Sequence, residues 1–182
     1  MSLAYTLLAL LAALGQAPTA RAEGRTVAIL PTSCFRAAPE NSAVFDAAFR
    51  TSLTKRGFRV LDSGPVKQAL AAEKIELPRH ISFARAAAVG RRAQADLTVY
   101  ARLLGVGAAP PLQNPVIDPA RMKLVLIVAV IDSGSGRGLH VYQVEQIYTS
   151  PDPGAPQQIV PREAAEAAVE AAMQGFYRQP RR

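Results

Sequence analysis

Short apolar runs with strand-like composition alternate along this chain with segments whose apolar positions recur every three or four residues. The longest β-prone run outside the leader is Leu124-Val125-Leu126-Ile127-Val128-Ala129-Val130-Ile131. It is rich in branched residues and too short to cross a bilayer as a helix, so it predicts a strand buried on both faces. Asp132-Ser133-Gly134-Ser135-Gly136 follows, with residues tolerant of positive φ and a carboxylate able to bond its own backbone. Extended character resumes from Leu139 to Tyr148, and the stretch from Met122 to Tyr148 reads as a β-hairpin.

Upstream, Thr26-Val27-Ala28-Ile29-Leu30 predicts a strand stopped by Pro31, which has no amide hydrogen for a ladder. A loop with Cys34, Phe35 and Arg36 leads to a helix capped by Asn41 or Ser42. Its inner face is Val44, Phe45, Ala48, Phe49 and Leu53, while Asp46, Arg50 and Lys55 look outward. Gly57 ends that helix in the left-handed position, and Phe58-Arg59-Val60-Leu61 forms a second strand. Strand, helix and strand at this spacing make a parallel βαβ unit.

Ser63-Gly64-Pro65 starts a second helix, with Val66 and Leu70 on its apolar edge, which gives out near Ile75 before Pro78 breaks the chain. Ser82 caps a third through Phe83, Ala86, Ala87 and Val89, leaving Arg85, Arg91 and Arg92 on other faces. After Asp96, Leu97 to Leu104 alternates like a strand with one wetter face. Gly105 to Pro119 is an irregular stretch, read either as a flexible connector or as a partner-contact loop. Beyond the hairpin, Pro151 to Pro156 is a turn-rich link, and Pro161 opens a last helix. Ala165, Val169, Ala172, Met173 and Phe176 face inward there, with Arg162, Glu163, Glu166 and Glu170 wet. The order is β-α-β-α-α-β-β-β-α, which predicts an α/β (α+β) fold: a mixed sheet of about five strands, the first three parallel and the last two antiparallel, with helices packed on it.

Composition sets the scale. A length of 182 residues and 49% apolar content fit one domain with a real core. Net charge is +7, from 21 basic and 14 acidic residues. The basic residues are mostly scattered arginines; only Arg91-Arg92 and the terminal Arg178 to Arg182 cluster, so the charge reads as a solvated surface. Leu3 to Leu14 is almost unbroken hydrophobicity, followed by Gly15, Pro18 and Ala20-Arg21-Ala22. That pattern predicts a signal peptide over residues 1–22, cleavage before Glu23, a single domain over 23–182, and a periplasmic or secreted location. A weak charged n-region keeps an uncleaved anchor as an alternative. The lack of a cysteine near the cleavage site argues against lipid attachment.

No cluster of residues points to catalysis, a cofactor or a metal. Cys34 is the only cysteine, which excludes an intramolecular disulfide and leaves a buried inert thiol, an intermolecular disulfide or a nucleophile. Thr32-Ser33-Cys34 falls where open α/β sheets bind ligands, at the carboxyl end of the first strand, but without glycines for phosphate approach. Gly134-Ser135-Gly136-Arg137-Gly138 precedes a strand and lacks the lysine of a phosphate loop, so it reads as the hairpin turn. His80 and His140 have no ligand partners at metal spacing and read as surface or half-buried residues. Asp62, Asp96 and Asp132 fall at element ends, where capping explains them. Scattered arginines without interleaved aromatics, behind a secretory leader, argue against nucleic acid.

The order of elements and five local patterns resemble the periplasmic fold shared by the curli-transport protein CsgG, the amino-terminal domain of TolB and the lipoprotein activators of penicillin-binding proteins. Val27-Ala28-Ile29-Leu30-Pro31 is similar to the family's opening strand, and Gly57-Phe58-Arg59-Val60-Leu61-Asp62 to its glycine-aromatic approach to the second. Gly90, Ala95-Asp96 and Leu97 to Tyr100 resemble its helix-to-strand passage, with Ala101 where a glycine is frequent. Val130-Ile131-Asp132-Ser133-Gly134 resembles its hairpin turn and Glu163 to Phe176 its closing helix. The resemblance implies an exported, non-catalytic module that binds envelope protein partners in assembly, transport or secretion. Peripheral contact with the outer membrane and homo-oligomerisation are compatible with it. Two departures limit what carries over: there is no lipidation cysteine and nothing like the membrane-inserting hairpins of the curli channel. The alternative is a periplasmic small-molecule or nucleotide binder using the loop after the first strand.

Overall fold

Strand Thr26–Ile29 (β1) sits inside the sheet because its alternate residues have apolar helices to meet on either side. In the computed structural model, which describes residues 24–77, 80–109, 121–152 and 159–178, it is joined by Ser33–Cys34 (β2), Arg59–Val60 (β3), Leu97–Ala108 (β4), Arg121–Asp132 (β5) and Gly138–Thr149 (β6). These form one mixed sheet of order β3-β1-β4-β5-β6, with β2 paired to β4. Pairings among β1, β3 and β4 are parallel, and β4, β5 and β6 run antiparallel, as expected.

Four helices among the described residues flank the sheet: α1 (Asn41–Lys55), α2 (Ser63–Ala72), α3 (Phe83–Arg92) and α4 (Arg162–Arg178). On one face, α1 and α4 bury Phe45, Phe49, Met173 and Phe176 against Val27, Val99, Leu126 and Val128. On the other, α2 and α3 bury Val66, Leu70, Ala87 and Val89 against Ala28, Tyr100, Ala129 and Ile131. Each large side chain withdrawn from water this way stabilises the fold by about 1.5–3 kcal/mol before entropy is counted. Where α3 lies on the sheet, a Cβ on Gly90 would collide with the Thr98 and Ser133 hydroxyls, which bond each other at 3.0 Å in the core.

Several expectations need correction. The sheet has a sixth strand: Pro31 interrupts the ladder instead of ending it, and Ser33–Cys34 resumes parallel pairing against Arg102 and Leu103. The stretch from Gly105 is not irregular at its start, since β4 runs on to Ala108 through a bulge at Leu104. Residues 110–119 of that predicted loop, the leader over 1–22 and most of the link after Asp152 lie outside the described residues.

Neither Asn41 nor Ser42 caps α1; its N-cap is Glu40, without a side-chain bond. Asn41 is instead fully buried, and its Oδ1 accepts the Val160 amide at 2.7 Å, tying the start of α1 to the approach to α4. The Ser82 cap on α3 and the left-handed Gly57, at φ 79°, are as expected. Phe83, predicted on the inner face of α3, is in fact exposed beside Gly138.

Candidate functional surfaces

β4 and β5 run antiparallel, so the first half of one lies beside the last half of the other. α2 and α3 cover only the end holding Leu97–Ala101 and Val128–Ile131, and there both strands are buried on both faces. Beyond it no helix among the described residues covers the α2/α3 side of the sheet, and Leu104, Val125 and Ile127 are left half-buried. This reverses the two strand readings. β4 is dry on both faces in its first half, where a wetter face was expected, and β5 has one half-open face in its first half, where full burial was expected. Apolar content alone does not say where a covering helix ends.

The open area continues across β6, the last strand of the sheet, through Val141 and Ile147, which are 55% and 45% exposed. Lys123 and Glu145 pair across it at 2.6 Å. Arg102 is half-buried on this side, and its Nε is buried without a partner among the described residues. At the far end a groove of about 400 Å³ is lined by Arg36, Leu104, Gly105, Lys123 and Val125. Arg36 adopts a left-handed backbone (φ 54°), and its guanidinium lies 5.4 Å from the ring centre of the exposed Phe35.

A second concavity, of about 380 Å³, lies at the carboxyl ends of β1 and β3, between Pro31, Asp46, Arg50, Leu61, Ser63 and Lys67. Asp46 and Arg50 do not simply look outward, as their helix positions predicted. The Thr32 amide and hydroxyl donate to Asp46 Oδ1 at 2.9 and 2.8 Å, and Arg50 donates to the Leu61 carbonyl. Burial raises the Asp46 carboxyl above its ordinary range, against the pull of those bonds. The predicted ligand loop is therefore occupied by structure: Thr32 is clasped by Asp46, and Ser33 and Cys34 are strand residues. Burial, and then the Asp46 charge, push the Cys34 thiol up, opposite to the shift that activates a nucleophile.

Among the remaining candidates, Asp96, Asp132 and His140 have structural partners. Asp96 Oδ2 accepts the Thr26 amide at 2.7 Å, holding β1 to β4. Asp132 Oδ1 accepts the Ser135 amide and hydroxyl inside the Gly134–Gly138 turn, and these bonds hold its carboxyl below the usual range. Asp62 occupies the N-cap of α2 without a side-chain bond there. His80 is exposed; His140 is half-buried, its Nε2 bonded to the Ala172 carbonyl at 2.7 Å and its ring stacked near Tyr142. Among the described residues no group of three or more potential ligands gathers for a metal, and no helix is long and apolar enough to cross a membrane.

The fold has solved counterparts. Lipoprotein GNA1162 from Neisseria meningitidis matches with a TM-score of 0.55 at 10% identity, over 85% of this chain and 99% of that one. LpoB from E. coli matches at 0.51 and 12% identity, over 71% of this chain and 59% of LpoB. CT253 from Chlamydia trachomatis matches at 0.51 and 16% identity, over 85% of this chain and 94% of that protein. At such identities the likeness is one of fold. It matches the LpoB part of the resemblance read from the sequence. No protein-family model matches the chain, and no curated protein matches it by sequence.

Sequence reasoning missed the open sheet area, the Asp46 clasp and the Asn41 tether. One signal was present for the first: β6 carries apolar residues at both parities, Val141 and Ile147 on one face and Tyr142 and Val144 on the other, although it ends the sheet.

Proposed function

We propose that the protein is an exported, non-catalytic module that binds envelope protein partners and serves cell-envelope assembly, transport or secretion. One observation carries the reading: the side of β4 and β5 that no helix among the described residues covers, where Leu104, Val125 and Ile127 form an apolar floor, with Lys123 lining the groove beside Val125 and Arg102 opposite Ile127 in the ladder. A partner segment laid on it removes apolar surface from water and brings carbonyl or carboxylate groups to Arg102, a combination of apolar centre and polar rim common at protein interfaces. The shared fold with the lipoproteins GNA1162 and LpoB supports an envelope setting, as does the predicted leader over residues 1–22. We extend the resemblance to CsgG and the amino-terminal domain of TolB on the five sequence patterns alone.

Site-specific photo-crosslinking in intact cells tests this. A crosslinker at Val125 or Ile127 is expected to capture a defined envelope protein that the same group at Lys67, on α2, does not. Equal capture at all three positions, or none at any, overturns it. The rival reading, a small-molecule site, has one favourable observation in the concavity beside Asp46. A ligand-dependent rise in melting temperature that Asp46→Asn or Lys67→Ala abolishes would establish that site.

A further inference from the structure

β6 ends the sheet path on one side, and among the described residues no strand lies beyond it. It spans 12 residues, Gly138–Thr149, whereas the strand at the opposite edge, β3, has two. Long edges are normally blunted by lysine, proline or an inward charge, because their free amides and carbonyls template pairing with another chain. β6 has no proline or lysine, and its one acidic residue, Glu145, is engaged by Lys123 on β5. It also exposes large apolar or aromatic side chains on both faces: Val141 and Ile147 on the open side, Tyr142 at 49% on the other.

We propose that this edge pairs with the β6 of a second copy of the chain, antiparallel about a two-fold axis perpendicular to the sheet and centred on Val144. Such an axis keeps each face of the sheet continuous, so a residue can stand opposite only residues of its own face. Centred on Val144, the register sets Val141 against Ile147 of the second copy, twice, and Gln143 against Glu145. On the other face Val144 meets its own copy, Tyr142 faces Gln146 and His140 faces Tyr148.

The neighbouring registers are worse. Centring on Glu145 opposes two carboxylates, and centring on Gln143 sets Val141 against Glu145; like charges and apolar-charge pairs directly opposite are unfavourable. A head-to-tail filament through β3 has only two residues to pair with, so the two-fold arrangement is the one that closes. The inference is independent of the partner reading, since it uses the edge of β6 and not the floor formed by Leu104, Val125 and Ile127. Pairing would double that floor across the axis.

Oxidative cross-linking of the full chain in a Cys34→Ser background tests the register. Val141→Cys with Ile147→Cys is expected to give a covalent dimer on a non-reducing gel. Either substitution alone should not, because like positions lie about 20 Å apart across the axis. In sedimentation, the wild type should dimerise, and Val141→Lys with Ile147→Lys should weaken the dimer about tenfold or more while leaving the melting temperature of the monomer near its original value. A wild type that stays monomeric, single-cysteine variants that cross-link as readily as the double, or a dimer indifferent to the lysines would each overturn the proposal.

Discussion

The two ends of this sheet are built from similar residues and differ in what lies on them. At one end, Leu97–Ala101 and Val128–Ile131 are sandwiched between α1/α4 and α2/α3, and hydroxyls there survive burial by bonding each other, as Thr98 and Ser133 do. At the other, Leu104, Val125 and Ile127 rest on a core on one side only. Burial on both faces makes the covered end contribute more to stability than the end left half-buried among the described residues. Apolar side chains contribute to stability where something covers them and to association where nothing does.

The sharpest way to break that contrast is to overfill the covered end. Gly90→Val should destabilise by about 3 kcal/mol or more, because its side chain must displace Thr98 and Ser133 and leave a buried hydroxyl unpaired. Urea unfolding measures it. Ile131→Ala, in the same region, should cost about 2–5 kcal/mol through the cavity it leaves. The matched change at the half-open end, Ile127→Ala, should cost less than about 1.5 kcal/mol while reducing the cross-linking proposed for this surface. Equal losses at Ile131 and Ile127 would show that the two ends are not different.

Smaller effects probe the ties between α1 and α4. Asn41→Ala should cost about 1–3 kcal/mol by stranding the buried Val160 amide. Further along, Ser52 sits between Glu170 and Tyr177, at 2.7 Å from each, and Arg56 reaches Glu170 at 3.0 Å and covers the Tyr177 ring. Burial pushes the Tyr177 hydroxyl from 10.0 up to about 12, with the Ser52 bond pulling the other way. The folded state thus holds this proton more tightly than the unfolded chain. Tyr177 leaves stability unchanged by pH below about 10 and makes it fall as pH rises from there towards 12. Tyr177→Phe should cost about 1 kcal/mol at neutral pH and flatten that alkaline decline, read from denaturation midpoints between pH 9 and 12.

Much of the fold was legible because its elements carry local signals. The βαβ start was marked by Pro31 and Gly57, α3 by Ser82, α4 by apolar residues at helical spacing, and the hairpin by Asp132 and its glycines. The misreadings came where a distant segment changed a residue's role. Asp46 sits on what helical periodicity calls an outer position, yet Thr32 turns back onto it. Asn41 has the chemistry of a cap and was used as a tether to Val160, 119 positions away. Gly105 to Ala108, with its two glycines, read as loop because its ladder partners are in a different strand.

The chain's own pattern of apolar residues determined that strands and helices alternate, that the first strands run parallel and that the last pair as a hairpin, because those choices depend on neighbours within a few positions. Which face of each strand stays dry depends on how far the helices extend over the sheet and on which strand ends the ladder. Those are properties of the assembled layers, and they alone decided that Ile131 is core, Ile127 is half-open and β6 ends the strand order among the described residues.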